Sequence, residues 1–190
     1  MGITRVGCSL DDDYPVVDWS CHASMADLWL EIDDRYRAGE PFDNLLSQIS
    51  YQLELNCRWP RVDCIAMVPG LAVSSRSKVV LENMGISGMQ FLEFQVNGES
   101  FFMFLTARRV DCLDRERSEL EFFRSSPEHV KEVVRYVFIE ERLSPCDVFT
   151  VPELSDGMFP WAQEIFFTAL ARNTIEKAGL IGFHFKELPA

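Results

Sequence analysis

Three histidines are the side chains of this sequence best suited to proton transfer near neutral pH. His22 follows Cys21, and a thiol beside an imidazole can support nucleophilic catalysis. Neighbours in sequence rarely point at each other, however, and no third residue is evident that would orient the imidazole. His129 stands at the predicted start of an element, and His184 lies at a predicted strand position that we expect to face solvent. The pattern therefore favours a protein without a histidine-based catalytic centre.

A run of carboxylates offers a second kind of chemistry, because two suitably placed carboxyl groups can act as general acid and general base. The run consists of Asp111, Asp114, Glu116 and Glu119. Two arginines interleave with these acids, which favours a self-neutralising, solvated connection over residues 111–121.

Motifs that bind phosphate, cofactors or metals are missing from the sequence. It contains no phosphate loop, no nucleophile elbow and no dinucleotide fingerprint. The six cysteines contain no CxxC pair and lack zinc-site spacing. We predict no catalytic residue, no cofactor and no metal site.

The most informative pattern is a module that occurs twice, at residues 73–94 and 167–188. Ser74 and Thr168 are placed as helix N-caps, where a side-chain oxygen accepts a backbone N–H of the first turn. Gly85 and Gly179 are placed just past the helix ends, where a left-handed residue is favoured. Each copy therefore predicts a capped short helix, a glycine stop and a strand, and the aliphatic residue after each glycine should pack back on the last turn.

The rest of the sequence predicts short elements around these modules. Residues 1–20 read as irregular or edge-like, 24–37 as a helix, and the stretch from Asp43 as a second helix. Strands are predicted over 64–68 and 147–151, and 127–139 favours a strand because it is rich in β-branched residues. Asn97-Gly98 predicts a hairpin whose returning strand, 101–107, is apolar enough to be central. Residues 152–160 read as a loop. The fold class is α+β, a mixed and largely antiparallel sheet with short packed helices.

The charge is unevenly distributed along the chain, whose formal net charge is −12. Residues 1–60 hold 11 acidic and 4 basic side chains, whereas residues 61–190 hold 19 and 14. This predicts an acidic N-terminal region over 1–60, packed on a core domain over 61–190, and the two can form one compact domain. An acidic balance argues against direct nucleic-acid binding and suits a basic protein partner. The absence of a long apolar run predicts no membrane span, and the polar N-terminus favours a cytoplasmic location.

The order of several blocks resembles a known family. These blocks are the serine-capped helix leading into GISGMQF at 85–91, DCLD at 111–114, DVFTVP at 147–152, EIFFT at 164–168 and IEKAGLIGFHF at 175–185. Over roughly residues 60–188 the chain resembles an immunity-protein family of bacterial polymorphic toxin systems, of the myxobacterial type. It departs from the family pattern at Glu93, where a proline is usual, and at Thr150, where an arginine is usual.

This resemblance implies an antitoxin that binds a cognate toxin domain inside the producing cell and blocks it without chemistry of its own. The acidity favours a basic nuclease as the toxin, and the paired modules allow a homodimer. We expect the toxin-binding surface to include Asp11, Asp12, Asp13, Glu31, Asp33 and Asp34. The alternatives are an interaction or regulatory domain without a toxin and, less favoured, an enzyme with a pocket at Cys21 and His22 or at the 111–119 carboxylates.

Overall fold

The computed structural model describes residues 2–7, 16–17, 34, 38, 50–51, 53–54, 62–66, 71–96, 98–106, 108–152 and 164–188. Two helices lie within these residues, α1 (Ser75–Asn83) and α2 (Ala169–Lys177), together with a 3-10 turn at Glu140–Arg142. The strands are β1 (Ile3–Gly7), β2 (Val16–Val17), β3 (Ser50–Tyr51), β4 (Leu53–Glu54), β5 (Cys64–Ala66), β6 (Leu71–Ser74), β7 (Met89–Val96), β8 (Glu99–Thr106), β9 (Glu119–Phe123), β10 (Ser126–Arg135), β11 (Val148–Phe149), β12 (Ile165–Thr168) and β13 (His184–Glu187).

A seven-stranded sheet runs in the order β3-β7-β8-β6-β5-β2-β4. Its pairs are antiparallel except β3 with β7 and β2 with β5, which are parallel. Strand β8 lies between β7 and β6, and its Phe101, Met103 and Phe104 are buried. The predicted α+β fold, the hairpin and the central position of its returning strand are therefore confirmed.

A second sheet of four strands runs in the order β11-β12-β1-β13. Strand β1 is antiparallel to both β12 and β13, with Arg5 opposite Phe166 on one side and Lys186 on the other. The expectation that residues 1–20 are irregular or edge-like is wrong for Ile3–Gly7, because this segment is an inner strand with Thr4 and Val6 buried.

The two modules adopt the same local shape. Both cap residues are extended, Ser74 at φ −67° and Thr168 at φ −69°. The Ser77 N–H donates to Ser74 Oγ, as an N-cap requires. Thr168 makes no such bond, because its Oγ1 instead accepts from the Asp147 N–H at 2.9 Å. The predicted side-chain cap is therefore right for the first helix and wrong for the second.

Both helices end on a left-handed glycine, with φ +67° at Gly85 and +61° at Gly179. In the second copy the Gly179 N–H donates to the Glu176 carbonyl and the Leu180 N–H to the Ile175 carbonyl, the bond pattern of a Schellman end. Ile86 and Leu180 pack against the core that holds Leu81 and Ile175, so the glycine stops are confirmed.

The two modules also occupy similar positions in their sheets. In the first copy, β6 and β7 flank β8 and are both antiparallel to it. In the second, β12 and β13 flank β1 in the same manner. Each copy is thus a strand–helix–strand unit whose two strands are separated by an antiparallel third strand. In the first copy the third strand is β8, which follows in the hairpin, and in the second copy it is β1, near the N-terminus.

One hydrophobic core joins the two modules. Its buried members come from both copies, Val73 and Leu81 from the first and Phe167 and Ile175 from the second, together with Phe104 of β8. Apolar faces of two short helices and two sheets are covered in this way, which is what makes nine-residue helices stable.

The third sheet is a two-stranded antiparallel ribbon of β9 and β10. The strand favoured over 127–139 is confirmed for the part within Ser126–Arg135. The charged connection predicted over 111–121 is shorter than expected, because β9 begins at Glu119.

Other expected elements are found with different limits. Strand β5 covers Cys64–Ala66 of the predicted 64–68, and β11 covers Val148–Phe149 of the predicted 147–151. Residue 34 has helical backbone, but the remainder of the predicted helix at 24–37 lies outside the described residues, as does the loop from residue 153. The helix expected from Asp43, whose apolar positions run to Leu53, is wrong at its end, because Ser50–Tyr51 and Leu53–Glu54 are strands that pair with β7 and β2. The earlier part of that stretch lies outside the described residues.

Candidate functional site

The acidic residues expected to bind a partner fall mostly outside the described part of the chain. Asp34 is described, has helical backbone and is exposed to solvent. The other members of the set lie outside the described residues: Asp11, Asp12, Asp13, Glu31 and Asp33.

The residues considered for catalysis do not form a reactive centre where the structure describes them. His184 is exposed on β13, as expected, and His129 is exposed on β10. Asp114 accepts a 3.1 Å bond from the Arg117 N–H, and Asp111 Oδ2 lies 2.8 Å from Arg142 Nη1. These carboxylates are thus neutralised locally. Cys21 and His22 lie outside the described residues.

Asp63 is the most heavily bonded carboxylate among the described residues, and its side chain is fully buried. Its Oδ1 accepts from Ser74 Oγ at 2.9 Å, and its Oδ2 accepts from Arg76 Nη1 at 3.2 Å and from the Ile181 N–H at 3.1 Å. The Asp63 N–H in turn donates to the Ile181 carbonyl at 2.8 Å. One carboxylate therefore ties the start of α1 to the turn that follows α2.

Asp147 occupies the equivalent place beside the second helix. Asp147 directly precedes β11, just as Asp63 directly precedes β5. The Asp147 carbonyl accepts from the Thr168 N–H, and the Asp63 carbonyl accepts from the Ser74 N–H. Its Oδ2 accepts from the Ser144 N–H at 3.1 Å. Arg108 Nη1 lies 3.1 Å from Oδ1, an ion pair without the alignment of a hydrogen bond. Burial raises the pKa of Asp147, because loss of solvent outweighs these favourable contacts.

The arginine of the first module also reaches across to the second. Arg76 Nη1 donates to the Gly179 carbonyl at 3.3 Å, and its Nη2 donates to the Ala178 carbonyl. A cation at these last carbonyls of α2 is favourable, because the C-terminus of a helix is partly negative. The buried Asp63 and the partly exposed Arg76 thus hold the two modules together.

A tyrosine anchors the base of the β9–β10 ribbon. Tyr136 donates from its hydroxyl to Glu164, which also pairs with Arg5 of β1. The Tyr136 ring stacks on Phe138 and meets Phe166 edge-on. Desolvation, reinforced by the Glu164 carboxylate, raises the pKa of Tyr136 well above its ordinary value, so the hydroxyl remains a donor.

The outer end of the same ribbon is apolar and exposed. Phe122 and Phe123 at the end of β9 are 47% and 45% exposed, the two largest such values of any aromatic side chain in the described residues. A shallow hollow of about 490 Å³ lies beside them, lined by Glu121, Phe122, Phe123, Arg124 and Lys131. Exposed aromatic pairs rimmed by charges are typical of protein-binding surfaces.

A groove of about 620 Å³ lies at the base of the ribbon. Its floor includes Ile3, Phe138 and Leu188, and its rim carries both signs of charge, among them Arg117 and Glu141. The groove and the ribbon therefore form a continuous outer surface with apolar and charged portions.

The sequence analysis did not single out this surface. Phe122 and Phe123 are adjacent, so their side chains point to opposite faces of the strand. A strand with aromatic residues on both faces reads as buried from sequence alone. The signal available was the surrounding charge, since Glu119, Glu121 and Arg124 are hard to reconcile with a covered strand.

Among the residues that the structure describes, no helix is long and apolar enough to cross a membrane. No group of three or more histidine, cysteine, aspartate or glutamate side chains in that part of the chain is arranged to hold a metal ion.

A duplicated α+β scaffold that carries an exposed aromatic ribbon is typical of a protein-interaction domain. Comparison with family models makes this assignment specific. The model of the Immunity protein family (Imm11) matches residues 34–189, which is more than half of the chain, and the chain therefore belongs to this family. A search of curated proteins found no match.

Proposed function

We propose that this chain is an immunity protein that binds a cognate secreted bacterial toxin in the cytoplasm of the producing cell and occludes its active site. Membership of the immunity family is the observation that carries the proposal. The exposed aromatic side chains of Phe122 and Phe123 support it, because a binding protein needs an apolar surface for its partner.

The acidic balance gives the proposal its mechanism. A net charge of −12 attracts a basic surface at long range, and complementary charge accelerates association and disfavours wrong partners. A nuclease suits this description, since its substrate is a polyanion and its active site is therefore basic. In this mechanism the protein replaces the nucleic acid on that surface and carries out no reaction.

The proposal is tested by co-expression. The C-terminal domain of the adjacent large open reading frame is expressed from an inducible promoter in a heterologous bacterium, with or without this chain. Growth should stop without the chain and recover with it. A toxic neighbouring domain whose effect this chain does not relieve would reject the proposed pairing.

Charge reversal tests which surface meets the toxin. The acidic set is replaced by lysine: Asp11, Asp12, Asp13, Glu31, Asp33 and Asp34. We expect toxin affinity to fall by about 100-fold or more, because six charge pairs with the toxin at about 0.5 kcal/mol each are lost. The dependence of affinity on salt should also weaken or change sign.

The matched control reverses the same number of exposed carboxylates elsewhere: Glu82, Glu93, Glu99, Asp111, Glu176 and Glu187. Both variants change the net charge equally, so a difference between them reports position. Equal affinity and equal salt slopes for the wild type and the first variant would place the toxin on another surface.

A further inference from the structure

The outer end of the β9–β10 ribbon has the physical character of an insertion element. Phe122 and Phe123 remain about half exposed although both are large and apolar. Fully desolvated aromatic side chains supply much of the affinity of protein complexes. Because Phe122 and Phe123 lie on opposite faces of the strand, they can contact the two walls of a cleft that the strand end enters.

The tip of the ribbon is irregular. Within the described residues the ribbon is a sheet of two strands with no third strand beside it. Its register shifts between the Ser126–Phe123 and Val130–Phe122 pairs, which leaves residues 127–129 as a bulge. Bulges of this kind bend a strand end and redirect its side chains.

Its charges favour a basic partner. The ribbon, residues 119–135, contains four glutamates and three basic residues. Two of the three basic side chains are engaged within the protein: Lys131 Nζ lies 3.1 Å from Glu121 Oε2, and Arg135 Nη2 donates to the Arg117 carbonyl at 2.8 Å. With Lys131 paired to Glu121, the exposed carboxylates of Glu119, Glu128 and Glu132 outnumber the remaining cations, Arg124 and Arg135, by one. This small excess has the same sign as the net charge of −12 of the whole chain, which favours a basic partner.

The base of the ribbon is fixed independently of its end. Val133 is buried, and Leu120 and Val130 pack against the core cluster that contains Phe149 and Phe166. The Ser118 hydroxyl accepts from the Val137 N–H at 3.0 Å. Because the end contributes little to this core, its residues can be changed without removing what holds the fold.

We propose that the end of this ribbon, with Phe122 and Phe123 at its centre, inserts into an apolar cleft rimmed by basic residues on the toxin domain. This inference rests on the proposed function and assigns it a second contact surface, beside the acidic set already named. The aromatic pair supplies the buried centre of the contact, and the surrounding glutamates face the basic rim.

The first test is the double substitution Phe122→Ser with Phe123→Ser. The purified variant is titrated with the toxin domain by calorimetry and co-expressed with it for rescue. Affinity should fall by about 100-fold or more, since two central aromatic residues are removed. The melting temperature should stay within a few degrees of the wild type.

The matched control is Val79→Ser with Leu170→Ser, which removes two hydrophobic side chains of similar exposure, 54% and 49%, from α1 and α2. This control should bind the toxin as the wild type does.

A second pair of variants tests the charge argument at the exposed turn residue Ser125. Ser125→Arg should weaken binding by about 10-fold at low salt, and Ser125→Glu should not.

Each remaining outcome overturns the inference in a recognisable way. A wild type that binds and protects, together with an aromatic double variant of equal affinity, rejects the ribbon and leaves the proposed function intact. A large fall in melting temperature would mean that another part of the chain covers the two rings. A change from dimer to monomer would mean that a second copy does. A wild type that neither binds nor protects would reject the proposed function and this inference with it.

Discussion

Gly182→Ala should destabilise the protein more than any other single methyl addition at a described glycine. Gly182 has φ +102°, and a Cβ there would lie 3.1 Å from the Cys64 carbonyl carbon and closer still to its oxygen. That carbonyl belongs to β5, whose Cys64 N–H donates to the Ile181 carbonyl at 3.0 Å. Since both contacts are backbone, a rotamer change cannot relieve them, and the turn at Gly182 must move away from β5. We expect a loss of about 4 kcal/mol in the free energy of unfolding.

The matched control is Gly85→Ala, the same substitution after the first helix. Gly85 also has positive φ, but a Cβ there meets nothing within 4 Å. Only the backbone strain remains, at about 1 kcal/mol. Urea denaturation followed by circular dichroism measures both. Equal losses for the two variants would mean that the close approach of the second module to Cys64 does not exist in solution.

Asp63→Asn should have the second-largest effect. The side chain is buried and accepts from Ser74, Arg76 and Ile181, and an amide has a single oxygen to serve these three donors. The amide NH₂ would also face one of them. We expect a loss of about 2 kcal/mol, because donors around a buried carboxylate are left unpaired and the partly exposed Arg76 loses its charge partner. Chemical denaturation at neutral pH measures this loss.

Asp147→Asn is the natural comparison and should cost much less. The pKa of Asp147 is raised above its ordinary value of 3.8, chiefly by burial, so the folded protein prefers the neutral form. The free energy of unfolding therefore falls as the pH rises from the pKa of Asp147 in the unfolded chain to its higher pKa in the folded protein. Above the folded pKa this loss of stability is constant. On acidification the wild type should gain stability relative to Asp147→Asn. A constant difference between pH 7 and pH 3 would contradict this assignment.

Local rules were enough to predict the modules. A hydroxyl residue before a short apolar-periodic run and a glycine after it define a helix by hydrogen bonding and backbone sterics alone, and both copies fold accordingly. The hairpin at Gly98 and the central position of β8 followed from turn chemistry and from an uninterrupted apolar run. These features depend on neighbours within a few residues.

Long-range pairings were not predictable in the same way. The second module needs an antiparallel strand between β12 and β13, and the chain supplies it from Ile3–Gly7, more than 150 residues earlier in sequence. The exposed position of Phe122 was missed for a related reason. Whether another part of the chain covers the end of β9 depends on residues far away in sequence. Thr168 failed as a side-chain cap because its hydroxyl bonds Asp147, a partner 21 residues away.

An immunity protein that inhibits by covering its toxin acts stoichiometrically, whereas one that inhibits by turnover acts catalytically. These two modes are separated by titrating a fixed amount of the toxin domain with the purified chain and following the toxin's activity. We expect a linear fall in activity that reaches zero at a fixed stoichiometric ratio, with a complex recovered by size-exclusion chromatography and dissociation restoring both proteins unchanged. Full protection at a small fraction of one equivalent, or a toxin left chemically altered after separation, would contradict it.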